Sequence, residues 1–295
     1  MTTPPRPAPM PVQPPPEPDP AWSPLLTEPF AQAWQAPVPP ASRLRERLLS
    51  RAQASRAAEA GLHTVRHQRQ PWQALAEGVR AQWLYQAGSD GPTRPGEPLQ
   101  ARLIELAPGA RLRADLLGPP QTLQATHREW LVLAGEAGQV GEAVLTLRDY
   151  QRTPAGLPTP DWQAGSDGAR LFLRVAAEAL PPGPSGSGAP LTVRDGDAGW
   201  PAFAPGIRRR VLWQQGGQAA LLYHAEAGAA VPQHRHGHDE ECLMVQGELF
   251  LDDLLLQAGD YQLAPAGTGH RITQTDTGVV IYAHGDLDLQ FTGGD

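Results

Sequence analysis

The chain contains no lysine and no asparagine, has a single cysteine, and carries no long apolar run. One thiol, Cys242, excludes an intramolecular disulfide framework and any Cys-x-x-Cys zinc site, so a metal ion must be held by nitrogen and oxygen. No segment approaches the roughly 18 consecutive apolar residues that span a bilayer, and the N-terminus lacks the basic head and apolar stretch of a secretory signal. A cytoplasmic protein with no membrane partner is therefore expected. Positive charge is also scarce: the formal net charge of -7 and pI near 5.7 exclude a broad basic footprint, so no nucleic-acid partner is expected. The longest basic run, Arg208–Arg210, reads as a solvated strand or loop.

What is present suits a globular protein. Forty per cent of the 295 residues are hydrophobic, enough for two modest domains with separate cores. Residues 1–41 hold nearly half of the 33 prolines and no apolar period, so a disordered, polyproline-like tail is expected there. Trp22, Leu25, Leu26, Phe30 and Trp34 punctuate it and either pack on the folded body or bind a partner. Ser42 can cap a linker helix over residues 42–61 that stops at Gly61. Leu44, Leu48 and Ala52 share one face of it, which predicts a packed strap.

From residue 62 the texture changes to short strand-like runs broken by glycine and proline, and it repeats. Trp72–Gly78 matches Trp200–Gly206, LIELAPG matches LLYHAEAG, EWLVLAGE matches ECLMVQGE, and DYQRTPAG matches DYQLAPAG. Four blocks in one order imply two copies of one all-β domain, at 62–180 and 193–295, joined by a Gly/Ser/Pro linker at 181–192.

The second copy carries the chemistry. Residues two apart on a strand share a face, so His234 and His236 can aim at one point. Glu240 follows a turn-prone glycine, and His270 follows Pro265 and Gly267, which can fold the chain back over the same place. Three imidazoles and one carboxylate suit a first-row divalent ion; zinc, iron, manganese, nickel and copper are all chemically admissible. His238 fits the parity but follows Gly237 and reads as solvated or as support for the ligands. His224 and His284 read as core or surface, and Cys242 as a buried inert thiol. In the first copy Thr122, Gln124, Arg128 and Thr159 stand where the second has His234, His236, Glu240 and His270, the first two depending on where a seven-residue gap before Glu129 falls, and no placement restores a histidine pair. The remaining His127 and Glu129 make a poor metal site, so that copy is expected to be a structural partner.

The spacing Gly228-x5-His234-x-His236-x3-Glu240-x6-Gly247, followed by Gly259-x5-Pro265-x-Gly267-x2-His270, resembles the two signature motifs of the cupin superfamily. The runs HRHGHDEECLMVQGELFLDD and AGDYQLAPAGTGH resemble the ChrR-type cupins, named after the C-terminal domain of an anti-sigma factor. The resemblance implies two double-stranded β-helix (jelly-roll) barrels, the second holding one divalent metal ion per chain, zinc first and iron or manganese as substitutes. It implies a regulatory, stress-sensing role with a small-molecule ligand, a sigma factor as partner, and pairing into homodimers. The zinc-binding head that sequesters sigma factors needs His and Cys ligands, and residues 1–61 offer neither. Related cupins are iron dioxygenases that cleave diketones or hydroxyaryl ketones, which is the alternative reading; Tyr223, Phe250 and Tyr261 are its candidate pocket residues.

Overall fold

The computed structural model describes residues 41–88, 98–177 and 188–292. The proline-rich tail up to residue 40, with its five aromatic and leucine positions, and linker residues 181–187 lie outside them. Two units result, Met1–Ala54 and Ser55–Asp295. The predicted linker helix spans Ala41–Ala60. Leu44, Leu48 and Leu49 on it are more than half exposed.

Within the second unit the repeat becomes two antiparallel β-barrels. One is built around strands Val79–Gln86, Pro98–Leu106, Thr126–Gln139 and Trp162–Ala177. The other uses Ile207–Gln215, Gln218–Ala225, Glu240–Leu251 and Val279–Asp286. The long strands alternate between two faces, as the period of two requires, until bulges beyond Val132 and Met244 shift the register. On Thr126–Gln139, Trp130 and Val132 enter the first barrel's interior while Leu131 packs in a core shared by both barrels. On Glu240–Leu251, Cys242 and Met244 enter the second interior while Leu243 joins that shared core. Both faces of these strands are therefore buried.

The sequence boundaries at 62–180 and 193–295 are crossed by two short strands. His63–Val65 pairs with Tyr261–Ala264 of the second barrel, and Leu191–Val193 pairs with Tyr150–Thr153 of the first. The exchange is symmetric down to the hydrogen bonds. Asp260 accepts from the Arg66 guanidinium at 2.8 Å and the His67 amide at 3.0 Å. Asp149 accepts from Arg194 at 3.2 Å and the Asp195 amide at 2.7 Å. The segments responsible, Thr64-Val65-Arg66 and Thr192-Val193-Arg194, are a further repeated block, three residues long and too short to stand out among the four longer ones.

At the centre of the shared face Arg174, 1% exposed, lies between two equally buried carboxylates. Its Nη1 donates to Glu129 Oε1 at 3.0 Å and its Nε to Glu241. Tyr150 and Tyr282 donate to Glu129 at 2.9 and 2.6 Å, and Tyr261 to Glu241 at 2.7 Å. Burial acts to raise both carboxyls. At Glu129 the charges of His284 and Arg174 overcome it and hold the group well below its ordinary range, whereas at Glu241 burial prevails.

Two predictions follow from this architecture. Replacing Arg174 with methionine leaves two buried carboxylates without their cation and is expected to cost about 3–5 kcal/mol in a denaturant melt. Adding Glu129→Gln and Glu241→Gln should recover most of that loss. Burial alone would raise the Asp260 carboxyl, but the bonds from Arg66, the Gln257 amide and His67 hold it below its usual value. The contribution of this clamp on Arg66 and His67 is then complete above the unfolded aspartate value of about 3.9 and is lost as pH falls through the lower folded value. Asp260→Asn should be less stable at neutral pH and lose less on acidification, as read by thermal melts from pH 7 to pH 2.

Candidate metal centre

The second barrel brings His234, His236 and Glu240 together, their ligand atoms within 4.8 Å of one another, with His270 beside Glu240. His234 lies directly opposite His270 in an antiparallel pair, and His236 is tied to the following turn by bonds to Thr268 O (2.9 Å) and from the Gly267 amide (2.8 Å). The three imidazole rings stand 5.0–5.7 Å apart, centroid to centroid. Glu240 Oε2 lies 3.2 Å from His236 Nε2 and 3.9 Å from His270 Nε2. His234, His236 and His270 are each under 5% exposed.

The supporting bonds aim the rings. His234 Nδ1 donates to Pro232 O at 3.0 Å, and His270 Nδ1 to Asp252 at 3.3 Å, leaving the Nε2 atoms to converge. Asp252 was not singled out as a site residue in the sequence, because its role depends on the turn it occupies. It sits at φ +54° in the two-residue turn between Leu251 and Leu254, where its other oxygen accepts from the Arg271 and Ile272 amides. His236 is different: both of its ring nitrogens are buried with no hydrogen-bond partner among the described residues. Burial and the neighbouring His270 lower its pKa to about 4, so it is neutral at pH 7. Burial likewise lowers His234 and raises Glu240. Neutral imidazoles, a buried carboxyl and orphaned ring nitrogens are what a divalent cation would satisfy, so the donor set fits a metal ion.

A cavity of about 60 Å³ adjoins the ligands. His234, Glu240 and His270 form one wall; Tyr223, Cys242, Leu249, Leu251, Thr273 and Ile281 are among the others. Of the candidate pocket residues, Tyr223 lines it, whereas Tyr261 is in the shared core and Phe250 is outside the lining. Cys242 faces this cavity from two residues beyond Glu240, and its thiol is pushed well up by burial and by Glu240. His238 is 39% exposed and bonded to Asp286, outside the ligand cluster.

In the first barrel the same place is filled. Arg128, which stands for Glu240, spreads its guanidinium over the carbonyls of Leu123, Thr126 and Leu157. Trp130 and Trp162 take the strand positions of Cys242 and Thr273 and pack at 4.5 Å. Thr122 and Gln124 do not occupy the positions of the histidine pair. The longer connection folds into a short helix, Pro120–Gln124, on which both are exposed.

His127 and Glu129 do find a third partner, His284 of the other barrel. Glu129 Oε1 is 3.2 Å from His127 Nε2 and 3.5 Å from His284 Nε2, so the three could in principle hold a metal ion. Arg174 Nη1, however, lies 3.0 Å from both His127 Nε2 and Glu129 Oε1. A dication would face that guanidinium at close range in a dry interface, so the cluster reads as an ion network whose cation is already present.

Replacing His234 and His236 together with alanine should abolish bound metal, whereas replacing Thr122 and Gln124 should leave it unchanged, by elemental mass spectrometry of the purified variants.

Residues 189–288 match the ChrR cupin-like domain family. Solved structures of similar fold include a proposed dioxygenase from Nostoc punctiforme, with a TM-score of 0.57 at 14% identity over 79% of this chain and 87% of that one. A variant of Bacillus subtilis oxalate decarboxylase gives 0.54 at 15% identity over 78% of each chain. The Lactobacillus farciminis oxalate decarboxylase gives 0.54 at 14% identity over 77% and 87%. No protein of curated function matches the sequence. The chain shares the fold of these structures, and its second barrel is similar over residues 189–288 to the ChrR cupin-like domain family.

Proposed function

We propose that this protein is a sensory, regulatory bicupin in which one divalent ion, held by His234, His236, Glu240 and His270, marks the place where a small molecule or oxidant is read. The observation that carries the proposal is the contrast between the barrels. Four donors converge beside an apolar cavity in the second, while Arg128, Trp130 and Trp162 close the same region of the first. A catalytic or sensory centre is thereby confined to one barrel, and the other serves as its scaffold. The family match supports the regulatory reading, with a sigma factor or another regulator as the downstream partner.

Zinc is the ion we favour. Manganese is supported by the Mn(II) centres of the Bacillus subtilis oxalate decarboxylase, which shares the fold. When bound, such an ion polarises a ligand oxygen as a Lewis acid. The protein's own contribution is to aim the imidazoles through Pro232 O and Asp252, and to keep the cavity dry with Leu249, Leu251 and Ile281.

A second reading, an iron dioxygenase acting on a diketone or hydroxyaryl ketone, is favoured by the cavity itself, since a purely structural metal needs none. Its size sets a limit. At about 60 Å³ the cavity suits a short diketone better than a bulkier hydroxyaryl ketone.

Full-length, untagged protein purified anaerobically should contain about one divalent ion per chain, not two, by elemental mass spectrometry. Zinc would support the sensor. Iron with oxygen uptake on adding a diketone would replace it with the enzyme, and absence of metal after reconstitution would overturn both.

A further inference from the structure

One part of the cavity wall is held far less firmly than the rest. Most of the lining is buried, whereas Ala230 is exposed and Val231, Thr273 and Leu289 are half-buried, so these residues mark the mouth. Val231 lies opposite Thr273 in a short ladder, and Thr273 and Gln274 pair in turn with Leu251 and Phe250, so that part of the rim is fixed. Leu289 comes from a different place. It belongs to the segment Leu287–Thr292, which follows the long strand Val279–Asp286.

The Asp286 carboxylate anchors the start of this segment by accepting from the Gly237 amide and the His238 ring. Beyond it the bonds thin out. The Leu287 amide donates to Gly217 O at 2.9 Å, and Arg209 donates to Leu287 O at 2.6 Å. Gln290–Phe291 then forms a two-residue outer strand on His234–Arg235, and the Thr292 amide donates to Gln233 O at 2.9 Å. The ion pair of Arg209 with Asp288, at 3.6 Å, is too exposed to add much. Docking also satisfies the segment poorly: Phe291 stays 56% exposed, and the Thr292 hydroxyl is covered with no hydrogen-bond partner among the described residues. Segments with few buried apolar contacts and solvent-facing backbone bonds are the ones that open locally while the core stays folded.

We propose that Leu287–Thr292 is a flap that gates the cavity, hinged just after Asp286, with Leu289 as its stopper. Peeling Gln290–Phe291 from His234–Arg235 withdraws Leu289 from the mouth, and redocking closes it. The gate also touches the ligand set: His234 lies between His270 on one side and Phe291 on the other, so opening strips the outer partner from a strand that carries a metal ligand. The inference deepens the reading of this barrel as a sensory site by naming what controls access to it, and the gate itself is a property of the protein without metal.

Cys242, the single thiol of the chain, lines the cavity and serves as the probe of access. Full-length protein is stripped of metal with EDTA and exposed to iodoacetamide, and alkylation of Cys242 is followed by peptide mass spectrometry. Leu289→Ala should speed alkylation about tenfold, because the mouth no longer has its stopper. Arg235 and Gln290 are exposed and lie opposite each other, at a spacing of about 5.5 Å that suits a disulfide. The double variant Arg235→Cys, Gln290→Cys should alkylate Cys242 about tenfold more slowly when oxidised, and at the wild-type rate once reduced and freed of reductant. The wild-type rate should also stay flat across low urea concentrations, as local opening requires. A rate unmoved by the disulfide, or one that climbs with urea from the first addition, would overturn the gate. Because this readout needs no metal, its failure is distinct from failure of the metal assignment, which elemental analysis of the unstripped protein decides.

Discussion

Both faces of the central strands are buried, and every placement in the second unit follows from that constraint. A strand in a single barrel needs an apolar residue only at alternate positions. Here the other positions meet the second barrel, so Leu131, Leu243, Phe172 and Tyr282 form a shared core where a single barrel would meet water. Glu129 and Glu241 fall on that same face. Carboxylates so deeply buried are tolerated only with a cation and hydrogen bonds in place, and Arg174 with Tyr150, Tyr261 and Tyr282 supplies both. The tyrosines also restrict where the carboxylates can point, so the network registers one barrel against the other as well as compensating charge.

The exchanged strands complete this registration from the edges. An unpaired edge strand exposes a row of backbone donors and acceptors. His63–Val65 and Leu191–Val193 each cover such an edge on the opposite barrel, and Asp260 and Asp149 clamp the chain directly beyond them. A segment that precedes the first barrel in sequence thus belongs to the sheet that carries Glu240. Because Tyr261–Ala264 pairs with His63–Val65 on one side and with Glu240–Leu243 on the other, that exchanged strand lies one strand away from Glu240.

The ligand set was legible because it is encoded at short range. A spacing of two along a strand places His234 beside His236, and the turn containing Pro265 and Gly267 returns His270 opposite His234. The barrel repeat was legible for a similar reason, since its four blocks each keep their glycines and apolar parity. What stayed hidden depends on which surface covers which. The sequence gives the parity of Glu129 and His284 but not that they meet across two barrels 155 positions apart, nor that Arg174 stands between the carboxylates. Thr122 and Gln124 were misplaced because the extra residues before Glu129 form a helix, and a gap in an alignment carries no such information. Asp252 was overlooked because acidic residues in turns are ordinary, and only the fold shows which imidazole one of them orients.

The two barrels began from one pattern and solve the same interior in opposite ways. At the position of Glu240 the first barrel has Arg128, a fixed cation that satisfies three carbonyls, and it fills the adjoining volume with Trp130 and Trp162. Burial lowers the Arg128 pKa to about 10, still far above neutrality, so its positive charge is permanent. The second barrel keeps a carboxyl that burial raises and imidazoles that burial lowers. A bound cation would relieve both. A permanent charge with closed packing makes a scaffold; an exchangeable charge with retained space makes a site. Stability in the first barrel is intrinsic, whereas in the second a bound cation would add to it.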